Sequence, residues 1–300
     1  MAMADSTNWV LVANPAAGGG HGRKRAERAA AALESAGQTI DLCFTREPGH
    51  ATELARRAVR EKAERLIVCG GDGTIREVVL ALAHSPVELG LLPFGTANDF
   101  ARALSVPRRF DQALHTLLHG RSRRLDLGRV EDRLFCTVAA FGFDAEISHA
   151  MSTGRIPFSG TTGYLYAALT HLSTYQPPHV RIAGEFGTFE GEVLLVASGN
   201  TSSYGGGMKI VPTADPQDGK LDVCIVGKMS RWKILNVLPR LFSGSHIHHP
   251  AVRLERSSWL QIETSRPHIM HADGEYLAET PATLQIEPAA LSVILPAANT

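Results

Sequence analysis

The chain has 300 residues, 30 Lys and Arg against 30 Asp and Glu, and hydrophobic residues at 44% of positions. That length exceeds the common domain size of roughly 100–200 residues and predicts two domains, while the charge balance excludes any global case for nucleic-acid binding or for coating an anionic membrane. Four scattered cysteines, Cys43, Cys69, Cys136 and Cys224, form no CxxC pair; with no basic-then-apolar leader and no apolar run near the roughly 18 residues of a spanning helix, they predict a reducing, cytoplasmic setting.

From Asn8 to about Gly95, short apolar runs alternate with helical patterns: WVLVANP and then Arg23 to Ser35, TIDLCFT and then Ala51 to Glu64, RLIVCG and then Ile75 to Ala83, and finally LGLLPFG. This rhythm predicts a parallel sheet covered by helices, with ligands held beyond the carboxyl ends of its strands. Helical pattern continues through DQALHTLLHG, with Gly120 as the expected C′ residue. After Arg124 strands dominate: RLDLGRV, RLFCTVAAF, HVRIAGEF, GEVLLVASGN, LDVCIVG, AVRLERSSWLQIET and ATLQIEP, with only GTTGYLYAALTHLSTY and SRWKILNVLPRLFSG reading as helices. The expected fold class is therefore α/β plus β: an N-terminal parallel α/β domain over residues 1–127 and an antiparallel sandwich over 128–300, the last residues being free to pack back on the first domain.

Four turns follow the four N-terminal strands: NPAAGGGHG, TREPGHA, GGDGT and PFGTAND. In the third, Gly70, Gly71 and Gly73 lack Cβ atoms where the chain leaves a strand, so backbone N–H groups can approach a ligand oxygen, and the helix opening near Thr74 offers a positive dipole end. Asp72 would repel phosphate unless a cation or a ligand hydroxyl stands between them; a cap on the helix is the structural alternative. The first turn fits neither a P-loop nor GxGxxG, since the registers from Gly18 and Gly20 end on Arg23 and Arg25. Thr96 stands three before Asp99, a capping-box-like pattern, and could also face a ligand.

NPAAGG, GGDGT, LPFGTANDFAR and, near the end, HADGE occur in this order over essentially the whole chain. Together they resemble the diacylglycerol kinase catalytic-domain family, with the nearest likeness to bacterial soluble lipid kinases of the YegS and DgkB type. The resemblance implies a nucleotide-binding domain like that of 6-phosphofructokinase and NAD kinase, a C-terminal β-sandwich, and a cleft between domains for ATP and lipid. It places the nucleotide against Asn14, Thr45, Gly70, Gly71, Asp72, Gly73, Thr74, Ile75, Arg76 and Thr96. Arg76 departs from the family, which usually has asparagine there.

Two acidic clusters acquire roles from the same resemblance. Asp215 and Asp218 are spaced so that two carboxylates and a carbonyl can surround a hard cation, or so that both decorate a DPQDG turn in water. Similar kinases bind structural Mg²⁺ here, the residue at Lys220 giving its carbonyl. Asp273 and Glu275 flank Gly274; in a strand they share a face, and in a D-G hairpin they are solvated. The resemblance favours Glu275 as the base that accepts the proton of the acceptor hydroxyl, with Asp273 its rival and Asp72 organising metal or acceptor.

The function expected is Mg²⁺-dependent transfer of the ATP γ-phosphoryl group to a free hydroxyl of a membrane lipid, with transient contact at the inner membrane face. The alternatives are an NAD kinase, which shares GGDGT, and a catalytically silent nucleotide-binding regulator. Phe141, Phe143, Ile156, Phe158, Tyr164 and Leu165 are candidates for a lipid wall, core packing being the competing role. Arg108, Arg109, Arg121, Arg123 and Arg124 read as a solvated face or a headgroup contact, and His246, His248 and His249 as a loop rather than a metal site.

Overall fold

The computed structural model describes residues 8–152, 156–157, 160–172 and 175–297. It divides into two compact units, one running through Leu125 and including the segment from Ala289, the other spanning Asp126–Pro288.

The first unit is the predicted alternation: β1 (Asn8–Ala13), α1 (Gly22–Ser35), β2 (Thr39–Phe44), α2 (His50–Arg60), β3 (Arg65–Gly70), α3 (Asp72–Leu82), β4 (Glu88–Pro93), α4 (Asp99–Ala103) and α5 (Phe110–His119). All pairings are parallel, in the order β2, β1, β3, β4. Strands β1, β3 and β4 are buried at every position but the first, which is why each reads as an unbroken apolar run. One core cluster joins Leu11, Ile67 and Leu92 to Ala26, Ala29 and Leu33 of α1 and to Ala113 and Leu117 of α5. Gly120 is not a left-handed cap: its φ is −68°, and a Cβ there would stand 2.4 Å from the Thr116 carbonyl oxygen. Close approach, not positive φ, explains this glycine.

The second unit contains β5 (Arg121–Val130, begun in the first unit), β6 (Arg133–Phe135), β7 (Val138–Gly142), α6 (Phe143–Ser152), α7 (Gly160–His171), β8 (His179–Gly184), β9 (Gly187–Gly199), β10 (Leu221–Gly227), α8 (Arg231–Val237), α9 (Arg240–Ser243), β11 (Val252–Ser257), β12 (Trp259–Thr264), β13 (Ile269–Ala272), β14 (Glu275–Glu279) and β15 (Ala282–Leu295). Among the described residues its strands pair antiparallel, β9 running long enough to pair with β8 near its start and with β7 and β10 near its end. Alternation divides the side chains between two cores. Ala139 and Phe141 of β7 meet Ile182, Leu260 and Leu284 inside the sandwich, whereas Val138 and Ala140 face the helical layer through Ile147, Ala168, Ile234 and Leu241. Helix α6 was not expected from the sequence.

The end of β15 belongs to the first unit, where Val293 pairs parallel with Leu89 of β4. Ala290, Leu291, Val293 and Ile294 are all buried there.

Candidate functional site

The four turns after β1 to β4 gather around one cavity of about 610 Å³. Of the nucleotide contacts expected from the sequence, Asn14, Thr45, Gly71, Asp72, Gly73, Thr74 and Thr96 line it, joined by Gly18, Gly19, Arg46, Glu47, Glu77 and Gly95. Gly70, Ile75 and Arg76 do not. Gly70 is the buried last residue of β3, its Cβ position only 2.8 Å from Thr74; Ile75 is fully buried, with its N–H donated to Gly71 O; Arg76 is half-buried.

Glycine is needed here for packing as well as access. A Cβ on Gly95 would lie 2.5 Å from Gly71 Cα, so the third and fourth turns touch glycine to glycine, while a Cβ on Gly73 would meet nothing within 4 Å. The amides of Asp72, Gly73 and Thr74 open α3, where helix geometry supplies no internal acceptor, and they border the cavity. The first amides of α2 are already used: Glu77 accepts from Gly49 N at 3.0 Å and Ala51 N at 3.1 Å. The Asn14 side chain folds back on its own turn, accepting from Ala16 N at 2.9 Å.

Asp72 caps a helix, but not its own. Its carboxylate accepts from Asn98 N at 2.8 Å and Asp99 N at 2.6 Å, fastening α3 to the start of α4. The Thr96–Asp99 capping box does not form: Asn98 occupies the N-cap with φ 50° and binds Gly95 through both amide atoms, and Asp99 pairs with Arg102. Side chains around the cavity bring three carboxylates, Glu47, Asp72 and Glu77, against the single guanidinium of Arg46. Arg46 was legible only as part of the TREPGHA turn and Glu77 only within the helical stretch from Ile75, neither as a lining residue.

In the second unit, Asp273 and Gly274 form the two-residue turn between β13 and β14, at φ 53° and 82°. The same-face strand reading therefore gives way to the hairpin. Asp273 accepts from Cys136 N and Thr137 N, both at 2.8 Å, and from the Thr137 hydroxyl. It fastens the hairpin to the break between β6 and β7. Glu275 is exposed at the first position of β14.

The turn expected to hold a cation is satisfied from within. Asp215 accepts from Gln217 N at 3.1 Å, Asp218 accepts from Lys220 N at 2.9 Å and is paired with Arg256, and the Lys220 ammonium pairs with Glu185. No group of three His, Cys, Asp or Glu side chains able to hold a metal occurs among the described residues. Arg256 pairs with one of the Asp218 oxygens that a cation at Asp215, Asp218 and the Lys220 carbonyl would share. Asp126, not singled out from the sequence, is buried beneath this turn and accepts from Gly219 N at 2.8 Å.

A second cavity, of about 700 Å³, lies against α6, α7 and the start of β13, lined by apolar Ala145, Ala150, Ile156 and Ile269 and by Glu146, His171, Arg266 and His268. Desolvation raises the Glu146 carboxyl from its ordinary value, opposed by His171 and Arg266, and lowers His268, with Arg266 adding to the fall. Of the expected lipid wall, Ile156 lines this space; Phe141 and Phe143 are core; Phe158 and the side chains of Tyr164 and Leu165 lie outside the described residues. Of the histidines, His246 is buried against Ile210 O at 3.0 Å and its pKa is lowered by burial, while His249 accepts from Ala251 N. Arg108 donates to Thr96 O and Arg124 to the Ser292 hydroxyl.

A parallel α/β unit that gathers four strand-end turns around a cavity, followed by an antiparallel sandwich, is the architecture of a two-domain ATP-dependent kinase. Residues 8–130 match the diacylglycerol kinase catalytic domain, and residues 137–295 match the YegS C-terminal NAD kinase beta sandwich-like domain. A diacylglycerol kinase of Staphylococcus carnosus is 33% identical over 91% of this chain and 90% of its own, and one of Mycobacterium tuberculosis is 33% identical over 96% and 94%. A crystal structure of a putative diacylglycerol kinase from Bacillus anthracis shares the fold, with a TM-score of 0.81 at 23% identity over 98% of this chain and 97% of that one. The chain belongs to the diacylglycerol kinase family and is an ATP-dependent lipid kinase.

Proposed function

We propose that the protein transfers the γ-phosphoryl group of MgATP to a free hydroxyl of a diacylglycerol-like membrane lipid, the first unit holding the nucleotide and the second the acceptor. The observation that carries this reading is the cavity at the strand ends, with the open amides of Asp72, Gly73 and Thr74 on its wall. Three carboxylates against one guanidinium favour a triphosphate that arrives with its own Mg²⁺. Asn14, Thr45 and Thr96 supply polar contacts to the nucleotide, and Asp72 keeps the third and fourth turns in register.

The second cavity is the lodging for the lipid's apolar part. It touches Ile269 at the start of β13, while Asp273 and Glu275 follow the strand's other end, about 13 Å away at roughly 3.3 Å per residue. That span suits a long-chain glycerolipid better than a small polar acceptor. Glu275 takes the acceptor proton as the hydroxyl oxygen bonds to the γ-phosphorus and the bond to ADP breaks. Asp273 positions the hairpin that presents it. The membrane contact expected of a lipid kinase is transient and peripheral; no described helix is long and apolar enough to cross a membrane.

The test is Glu275→Ala. Glu275 is exposed, so the variant is expected to keep its Tm and bind ATP normally while losing 10²-fold or more in diacylglycerol phosphorylation, on the order of general-base catalysis. Near-normal turnover would sink the base assignment, and transfer to NAD⁺ rather than lipid would overturn the acceptor.

A further inference from the structure

Between Asp222 and Glu255 the chain contains no acidic residue but carries Lys228, Arg231, Lys233, Arg240 and Arg253, an imbalance in a protein whose total charges cancel. This stretch includes α8 and α9, whose buried sides, Ile234 and Leu241, pack on the same core cluster as α6 and α7. The opposite side sets two aromatics among its exposed cations. Trp232 is 79% exposed, more than any other large hydrophobic among the described residues, Phe242 is exposed on α9, and Tyr166 and Leu169 are exposed on α7. Tyr166 also lines the cavity of about 700 Å³. Lys228 is engaged by Glu192, but Lys233 and Arg240 form no ion pair among the described residues.

We infer that the outer surface of α8 and α9 docks the protein on an anionic lipid bilayer, with Trp232 entering the interface and Lys233 and Arg240 meeting headgroup phosphates. Indole prefers the headgroup boundary, where its apolar body and N–H are both satisfied, and cations beside it gain from the negative surface potential. The absence of acids over the stretch selects an anionic surface over a neutral one. This inference rests on the lipid-acceptor reading for its purpose, but not for its test.

The full chain would be sedimented with vesicles of phosphatidylcholine alone or rich in phosphatidylglycerol, each containing diacylglycerol, and phosphorylation would be measured on the vesicles and in detergent micelles. Wild type is expected to prefer phosphatidylglycerol vesicles, with tryptophan emission quenched by brominated lipid. Trp232→Ala and a Lys233→Ala/Arg240→Ala double variant should each lose roughly tenfold or more in vesicle binding, keeping micellar turnover and Tm. The quench should disappear in Trp232→Ala. Equal vesicle binding by wild type and both variants overturns the docking surface, as does self-association of the chain through Trp232 without vesicle binding. A wild type that binds vesicles through Trp232 yet phosphorylates no lipid in micelles supports the surface and defeats the acceptor reading instead.

Discussion

Gly73 and Gly95 both line the cavity at the strand ends, yet the surroundings of their absent Cβ atoms assign them opposite tasks. Gly73 lies in the first turn of α3 with open space before it, so Gly73→Ala is expected to leave Tm unchanged or raise it, alanine being better in a helix by about 0.5–1 kcal/mol. The new methyl projects where phosphate oxygens would sit, and ATP affinity should fall about tenfold, or about 1.4 kcal/mol. Gly95→Ala drives a methyl into Gly71 Cα at 2.5 Å and Asn98 Oδ1 at 2.8 Å. It is expected to cost about 1–3 kcal/mol of stability before any ligand is added. Thermal melts without nucleotide and ATP titrations separate the two; a Gly73→Ala protein that binds ATP as wild type does would remove its amide from the phosphate contacts.

At the scale of elements, two carboxylates that the sequence offers to chemistry serve as fasteners. Asp72 ties α3 to α4, and Asp273 ties the β13–β14 hairpin to Cys136 and Thr137. Asp72→Ala is therefore expected to lower the stability of the nucleotide-free protein by about 1–3 kcal/mol, the cost of leaving Asn98 N and Asp99 N unpaired, and activity should fall with it. An unchanged melt with lost activity would return Asp72 to a purely metal-binding or substrate-binding role. These fasteners also mark what could be read in advance. Strands β1, β3 and β4 were legible because a parallel strand buried on both faces is a continuous apolar run, and the turns after them were legible as glycine-rich motifs. The partners of Asp72 lie 26 and 27 residues away and those of Asp273 lie 136 and 137 away, so no local pattern reveals that these carboxylates are already engaged. Arg256 at Asp218 escaped notice for the same reason, 38 residues off. Helix α6 was missed because it begins directly at the end of β7, Gly142 turning with φ 96° and the buried Phe141 and Phe143 on either side masking the change of period.

For the whole molecule, chain order and spatial order part company at Ala289. The first unit is not a contiguous N-terminal stretch, because residues from Ala289 onward complete it: Val293 joins the sheet beside Leu89, and the His84 amide donates to Ala290 O at 2.7 Å. Leu291, Val293 and Ile294 bury their side chains there, each worth about 1.5–3 kcal/mol, so removing the segment withdraws roughly 5–9 kcal/mol, an upper estimate set against a typical domain stability of 5–15 kcal/mol. Truncation after Pro288 is expected to unfold the first unit, abolishing ATP binding and amide-exchange protection in β4, while Asp126–Pro288 retains its own core. A fragment ending at Leu125 should fail in the same way and recover when the peptide from Ala289 to Ala297 is supplied in trans or fused after a flexible linker. Cooperative melting of the bare fragment, with ATP binding intact, would show that the returning strand is dispensable. Recovery only with the added segment would make the chain's last strand a structural part of the site built by its first four.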